Sequence, residues 1–171
     1  MILAANIIGI AAVVMFVLSY QFKTRNSIIF INAASRVFYV LQYILLGAFE
    51  GAIMDIAALL VSLFAQHRDK GWIKKHDAAA VVLSGVFVIV TGLLFYENIF
   101  SLLPIFGVLF ETGALWLKKE RSIRFVSFFG APFWLAYNLV SAAYGSAAGN
   151  IITMVSIGIA IIRYDILRRA K

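Results

Sequence analysis

The sequence predicts an all-α membrane protein of seven transmembrane helices, arranged as two parallel three-helix bundles joined by one linking helix. Three observations lead there. The chain is too apolar for a water-soluble shell, its charges alternate from one connector to the next, and it repeats itself at a separation of 95 residues.

The composition is 63% hydrophobic and 13% charged over 171 residues, with a mean hydropathy of +0.96. Soluble domains hold roughly 45–50% apolar and about 25% charged residues. The surplus has to face lipid. The length suits a single domain. The net charge of +7 belongs to the loops of a membrane protein, which collect Lys and Arg on the cytoplasmic side, and nucleic acid is not an expected partner. The absence of cysteine excludes disulfides, thiolate metal sites, thiol nucleophiles and palmitoylation. Residues Met1 to Asn6 carry no basic n-region, so the apolar run from Ile2 to Tyr20 is expected to be a mature helix and not a signal peptide.

Apolar stretches long enough to span a bilayer run roughly over 3–21, 27–47, 51–66, 78–96, 99–117, 123–143 and 147–163. The third and seventh are short and have room to start earlier, in the Gly-rich turns before them. Lys23 and Arg25 follow the first span, and Arg68, Lys70, Lys74 and Lys75 the third. Lys118, Lys119, Arg121 and Arg124 follow the fifth, and Arg163, Arg168, Arg169 and Lys171 the seventh. These are 14 of the 15 cations. The connectors after the second, fourth and sixth spans have none, and Glu50 and Glu97 lie there. Seven spans put every basic segment on one face. The positive-inside rule makes that face cytoplasmic, with the N-terminus outside and the C-terminus inside.

Shifting the chain by 95 residues superimposes Lys23 on Lys118, Ser27-Ile28 on Ser122-Ile123, Phe30 on Phe125 and Phe38 on Phe133. It also superimposes Ala48 on Ala143, Ala52 on Ala147, Ile56 on Ile151, Ala65 on Ala160 and Arg68 on Arg163. Ten identities without a gap, several of them charged or polar, exceed what two apolar stretches share by composition. The organisation read from this is a first repeat over 1–68, a loop and linking helix over 69–97, and a second repeat over 98–171. The linking helix restores the orientation of the second unit, so the two bundles run parallel about an axis along the membrane normal.

The fifteenth cation, Arg36, and the carboxylates Asp55 and Glu111 fall inside spans, where charge is costly and marks function or a structural ion pair. At 1.5 Å per residue Arg36 lies about 14 Å from the cytoplasmic edge and Glu111 about 9 Å, while Asp55 lies only about 6 Å from the outer edge. Arg36 and Glu111 are therefore expected to pair, either as part of a polar cavity or as a static link between the second and fifth spans. Tyr39, Gln42, Tyr43, Trp134, Tyr137 and Asn138 form an aromatic and amide set, with Gln42-Tyr43 and Tyr137-Asn138 related by the repeat. They suit stacking and hydrogen bonding to a small polar ligand, or an interfacial aromatic belt. Runs of Gly and Ala near 47–52 and 145–149 suit close helix packing. His67 and His76 fit no zinc spacing. No triad, phosphate loop or intramembrane protease motif occurs, so neither an enzyme nor a cofactor is expected.

The 3+1+3 layout resembles the SWEET/PQ-loop superfamily of transporters. The segment Leu102-Leu103-Pro104-Ile105-Phe106-Gly107, with Trp134, Asn138 and Ile161-Ile162-Arg163, resembles the YgjV-type bacterial inner-membrane proteins over nearly the whole chain. That likeness implies a bacterial inner-membrane location. The wider SWEET likeness implies a transporter, with helix prolines as hinges and amides on the last helix of each bundle touching the solute. Pro104 and Pro132 would be such hinges. Their repeat partners are Gly9, which could also flex, and Val37, and no Pro-Gln dipeptide occurs. Asn150 matches the solute-binding amide and Asp55 takes the equivalent place, unless both simply cap helix ends. The expected function is a small-solute transporter or facilitator. The alternatives are a membrane receptor that does not transport and an accessory subunit of a larger complex. The partners expected are the bilayer, a small polar solute and, as an open option, further copies of the chain.

Overall fold

A computed structural model describes residues 2–141 and 143–166, which form eight α-helices and no strand. The helices are α1 (Ile2–Ser19), α2 (Arg25–Leu46), α3 (Phe49–Gln66), α4 (Gly71–Lys75), α5 (Asp77–Leu94), α6 (Leu102–Leu115), α7 (Glu120–Val140) and α8 (Tyr144–Ala160). A single 3-10 turn, Ile99–Ser101, leads into α6, and α8 continues as a π-helical turn over Ile161–Ile166. The basic tail, Arg168, Arg169 and Lys171, lies outside the described residues.

Local chemistry sets the ends. Thr24 caps α2 by accepting the Ser27 amide on its side chain, which satisfies one of the helix's free donors. Gly47 stops α2 with a φ of 75°, a conformation that costs glycine nothing. Asn98 caps the turn before α6, and the Ser101 hydroxyl accepts the Glu97 and Asn98 amides. Among the described residues five helical segments are long and apolar enough to cross a membrane: α2, α3, α5, α7, and α8 with its continuation to Ile166. Two shorter apolar ones cover Ile7–Ser19 and Ile99–Leu115.

Each stretch read as a span is a helix, with ends displaced by three residues at most, as helix boundaries usually are. α3 and α8 start earlier than the shortest reading, at Phe49 and Tyr144. The connector from His67 to Asp77, read as plain loop, contains α4. Gly71 turns the chain with a φ of 51°, an ion pair of Arg68 with Asp77 ties the segment's ends, and Lys74 and Lys75 close the short helix, where cations favour a helix C-terminus.

The helices pack in a closed ring. α1 packs on α2, α2 on α3, α3 on α6, α6 on α7, α7 on α8, and α8 returns to α1. α5 lies outside, against α3 and α6, and buries few of its residues. Large apolar side chains point outward from the helices, among them Ile7, Phe30, Leu60, Val82, Phe125 and Ile159, while polar and charged groups turn inward. That inversion is what a bilayer selects.

At one end of the ring two arginines bind helix termini. Arg25 donates to the carbonyls of Ala65 (2.9 Å) and Leu115 (2.8 Å), and to that of Leu117 (3.2 Å). Arg124 donates to the carbonyls of Tyr20 (3.4 Å) and Phe22 (3.2 Å) and pairs with Asp165 (3.2 Å). The first arginine joins the ends of α3 and α6, the second those of α1 and the segment after α8. Both exploit the free carbonyls and negative end of a helix dipole. The opposite end is held by neutral contacts and one carboxylate, with the Ser101 hydroxyl donating to Glu50 at 2.6 Å.

Candidate functional site

The ring surrounds a small central cavity to which all six of its helices contribute. Its walls are Phe16 of α1, Arg36, Tyr39 and Tyr43 of α2, Asp55 of α3, Glu111 of α6, Trp134 and Asn138 of α7, and Ser146 and Asn150 of α8. The arginine is the centre of the polar set. Its Nη1 donates to Asp55 Oδ1 and its Nη2 to Glu111 Oε2, both at 2.8 Å, and its Nε donates to Asn32 Oδ1 at 3.3 Å. Glu111 Oε2 also accepts from the Trp134 indole at 3.2 Å. The three charged residues are 1%, 3% and 4% exposed, so the pairs form away from water, where breaking one leaves an uncompensated buried charge.

Above the charges lies an amide and phenol layer. The Tyr43 hydroxyl donates to Asn138 Oδ1 at 3.2 Å, and Asn138 Nδ2 donates to Asn150 Oδ1 at 2.8 Å. Rings run alongside in series: Phe16 meets Tyr39, Tyr39 meets Tyr43, and Tyr43 stacks on Trp134 with centroids 6.4 Å apart. The free volume is about 20 Å³, room for about one water molecule. The side chains themselves occupy the middle of the ring.

The lining follows the repeat. Phe16 and Glu111, Tyr39 and Trp134, Tyr43 and Asn138, and Asp55 and Asn150 are each 95 residues apart, so eight of the ten lining residues form four repeat-related pairs. One pair, Tyr43 with Asn138, hydrogen-bonds directly across the ring. Equivalent positions of the two halves therefore meet at its centre.

Several expectations change. Asp55 was expected near the outer edge, apart from Arg36 and Glu111; it joins them. α3 begins at Phe49, so Asp55 is its seventh residue, nearly two turns in, as Asn150 is in α8. Neither is a terminal cap. The aromatic set is not a lipid-facing belt, because Tyr43, Trp134, Tyr137 and Asn138 are buried among the helices. Gln42 turns away from the central cavity. Its amide donates to Ser146 Oγ at 3.2 Å, and it borders an apolar cleft between α1, α2 and α8. Tyr137 packs edge-on against Trp134 and does not line the cavity.

Of the two expected proline hinges, only Pro132 sits in a helix interior, that of α7. Pro104 is in the first turn of α6, where its missing N–H costs nothing. Gly9 is a close-approach site, since a Cβ there would stand 2.3 Å from the Gln42 amide nitrogen. Phe16 and Ser146 were not singled out in the sequence. The repeat maps Glu111 onto Phe16 and would have found the first; the second lies in the small-residue run 145–149, read there only as packing.

A ring of apolar-surfaced helices around buried charge defines a polytopic membrane protein with a polar centre. The chain matches the family model of Imp-YgjV, bacterial inner membrane proteins, over residues 3–168. It belongs to that family and to the bacterial inner membrane. No curated protein and no solved structure matches it.

Proposed function

We propose that this protein is a small-solute transporter or facilitator that crosses the inner membrane seven times in a 3+1+3 arrangement, of the kind seen in SWEET-like and PQ-loop proteins. The carrying observation is the composition of the central cavity: four repeat-related pairs from six helices, with charges, amides and stacked rings in one place. Two similar halves that share one central site are the plan by which alternating access works, each half rocking against the other about a fixed site. In this reading α1–α3 and α6–α8 are the halves and α5 is the linker. The segment Ile99–Leu115 is 17 residues long, about 26 Å at helical rise, and spans the hydrocarbon with little mismatch. The end bearing Lys23, Arg25, Arg68, Lys118 and Arg124 is cytoplasmic, and the end bearing Glu50 and Glu97 faces outward. The site is read as binding a solute and not as catalytic.

The test is a thermal-stability screen of purified protein against sugars, amino acids, nucleosides and vitamins. A ligand at 100 times its Kd that binds only the folded protein adds about 2.7 kcal/mol of stability. One chemical class should raise the midpoint, do so less in Trp134→Ala and Asn150→Ala, and enter proteoliposomes. If no solute stabilises the protein or is taken up, the chain is a non-transporting receptor or accessory subunit with a structural core.

A further inference from the structure

We propose that the Arg36, Asp55 and Glu111 cluster is a proton-binding site, and that the proton rides on Asp55. Charge counting leads there. One guanidinium faces two carboxylates, each 2.8 Å away. With all three ionised the cluster carries one uncompensated negative charge at the centre of the helix ring.

No other described group supplies the balance. From α1 the cluster faces Phe16, with Tyr20 nearby; from α2, Asn32, Tyr39 and Tyr43; from α7, Trp134 and Asn138; from α8, Ser146 and Asn150. Phenols, amides, the indole and the hydroxyl carry no charge at neutral pH. α3 and α6 bring only the two carboxylates themselves. The arginines at the basic end, Arg25 and Arg124, are engaged with backbone carbonyls and Asp165. A buried charge without a partner costs several kcal/mol, so the cluster has to acquire one positive charge.

A proton needs no coordination shell, and no cluster of three or more metal-ligating His, Asp or Glu side chains is present among the described residues. The cavity holds about 20 Å³, about one water. The second oxygens, Asp55 Oδ2 and Glu111 Oε1, receive no hydrogen bond among the described residues although both side chains line the void. An incoming proton bonds to one of these oxygens and leaves again to water. Glu111 is held as a carboxylate by two donors, Arg36 and Trp134, and Asp55 by Arg36 alone. Hydrogen bonds to the charged form favour it, which leaves Asp55 as the proton's seat. That this proton is coupled to solute movement rests on the transporter reading above.

The experiment is pH-difference infrared spectroscopy of the purified full chain in lipid, following the carbonyl stretch of protonated carboxyls. The wild type should show a buried carboxylic-acid band that disappears as pH rises. Asp55→Asn and Glu111→Gln should each lose it, because either leaves Arg36 balanced by a single carboxylate. Arg36→Lys, which keeps the charge, should retain it. Circular dichroism checks folding of each variant, and if one does not fold the wild-type titration still decides. No titrating band in the wild type overturns the proposal, as does a band that survives in Glu111→Gln. Stabilisation by sodium or a small organic ammonium in place of the band also overturns it, by placing a cation at the site. With the band intact, uptake that ignores a pH gradient refutes only the coupling, and the absence of uptake for any solute refutes only the transporter reading.

Discussion

Arg36→Met is the most demanding perturbation of this fold. It removes three donors at once: Nε from Asn32, Nη1 from Asp55 and Nη2 from Glu111. The methionine fills much of the arginine's stem volume, so packing changes little and the loss is electrostatic. Breaking a buried ion pair by deleting one partner costs about 3–5 kcal/mol, mostly from the charge left behind. Here two carboxyl groups are stranded, one of them carrying the proton proposed above, and protonating the other relieves part of the cost. At about 1.4 kcal/mol per factor of ten, the folded-to-unfolded ratio falls by roughly two to three and a half orders of magnitude. The assay is equilibrium unfolding of detergent-solubilised protein, read by circular dichroism against denaturant. The triple variant Arg36→Met, Asp55→Asn, Glu111→Gln completes the test. Neutralising the stranded carboxylates should restore at least half of the lost stability, since contacting residues are non-additive. A shift for Arg36→Met below about 0.5 kcal/mol, the size of an ordinary surface change, would refute the buried cluster. So would a triple variant no more stable than the single one.

Further expectations concern the frame around that cluster. Gly130→Ala should destabilise by about 1–3 kcal/mol, because its Cβ would sit 2.8 Å from Glu111 Cγ and 3.1 Å from the Gly107 carbonyl oxygen; Gly113→Ala, whose Cβ meets nothing within 4 Å, should be neutral or stabilising in the same unfolding titration by up to about 1 kcal/mol. Tyr43→Phe removes the hydroxyl bonded to Asn138 and should lower stability by about 0.5–1.5 kcal/mol. Arg124→Gln strips the α1 end and Asp165 of their charged donor; a loss of about 1.5–3 kcal/mol is expected, with faster proteolysis at the basic end. The cysteine-free chain allows a direct topology test: in intact cells an impermeant thiol reagent should label Glu97→Cys and spare Lys118→Cys, and labelling of both or of Lys118→Cys alone would sink the assigned orientation.

Much of this architecture was legible because its physics is periodic or additive. Apolar length locates the helices, and the side on which Lys and Arg collect needs only an ordered count. The pairing of Arg36 with Glu111 followed from depth alone, since both lie on helices whose basic ends were marked by charge. Asp55 was misjudged for the complementary reason. Its depth was measured from the start of α3, and the Gly-rich turn before it gives no clear start signal. Two residues of extra helix carry the side chain inward toward Arg36. The choice between a lipid belt and an inward aromatic wall was left open because one chain's pattern does not say whether the polar face of α2 or α7 meets other helices or the membrane interface. Helix rotation decides it, and rotation depends on packing with four neighbours. The same holds for Gln42, adjacent in sequence to Tyr43 but turned by one residue's rotation into the cleft with Gly9.

The repeat explains why the site is shared, and its imperfections explain what the site can do. A perfectly repeated sequence would place the same chemistry on both sides of the ring. Here Arg36 answers to Ala131, Asp55 to Asn150, and Glu111 to Phe16. Charge has been kept on the α2, α3 and α6 side and removed from the other, which presents indole, amide and a hydroxyl. The Tyr43 to Asn138 bond lies between the two. A solute entering this centre would meet a charged wall that holds a proton and a neutral wall that stacks and hydrogen-bonds. Opening the site requires separating them, and the contacts that resist are unequal. The basic end is latched by two arginines on the ends of four helical segments, the other by neutral amide and hydroxyl contacts and one carboxylate. Charge-assisted hydrogen bonds are roughly twice as strong as neutral ones. On the transporter proposal the ring would open more easily toward the face bearing Glu50 and Glu97, and weakening Arg25 or Arg124 should shift that balance toward the basic face.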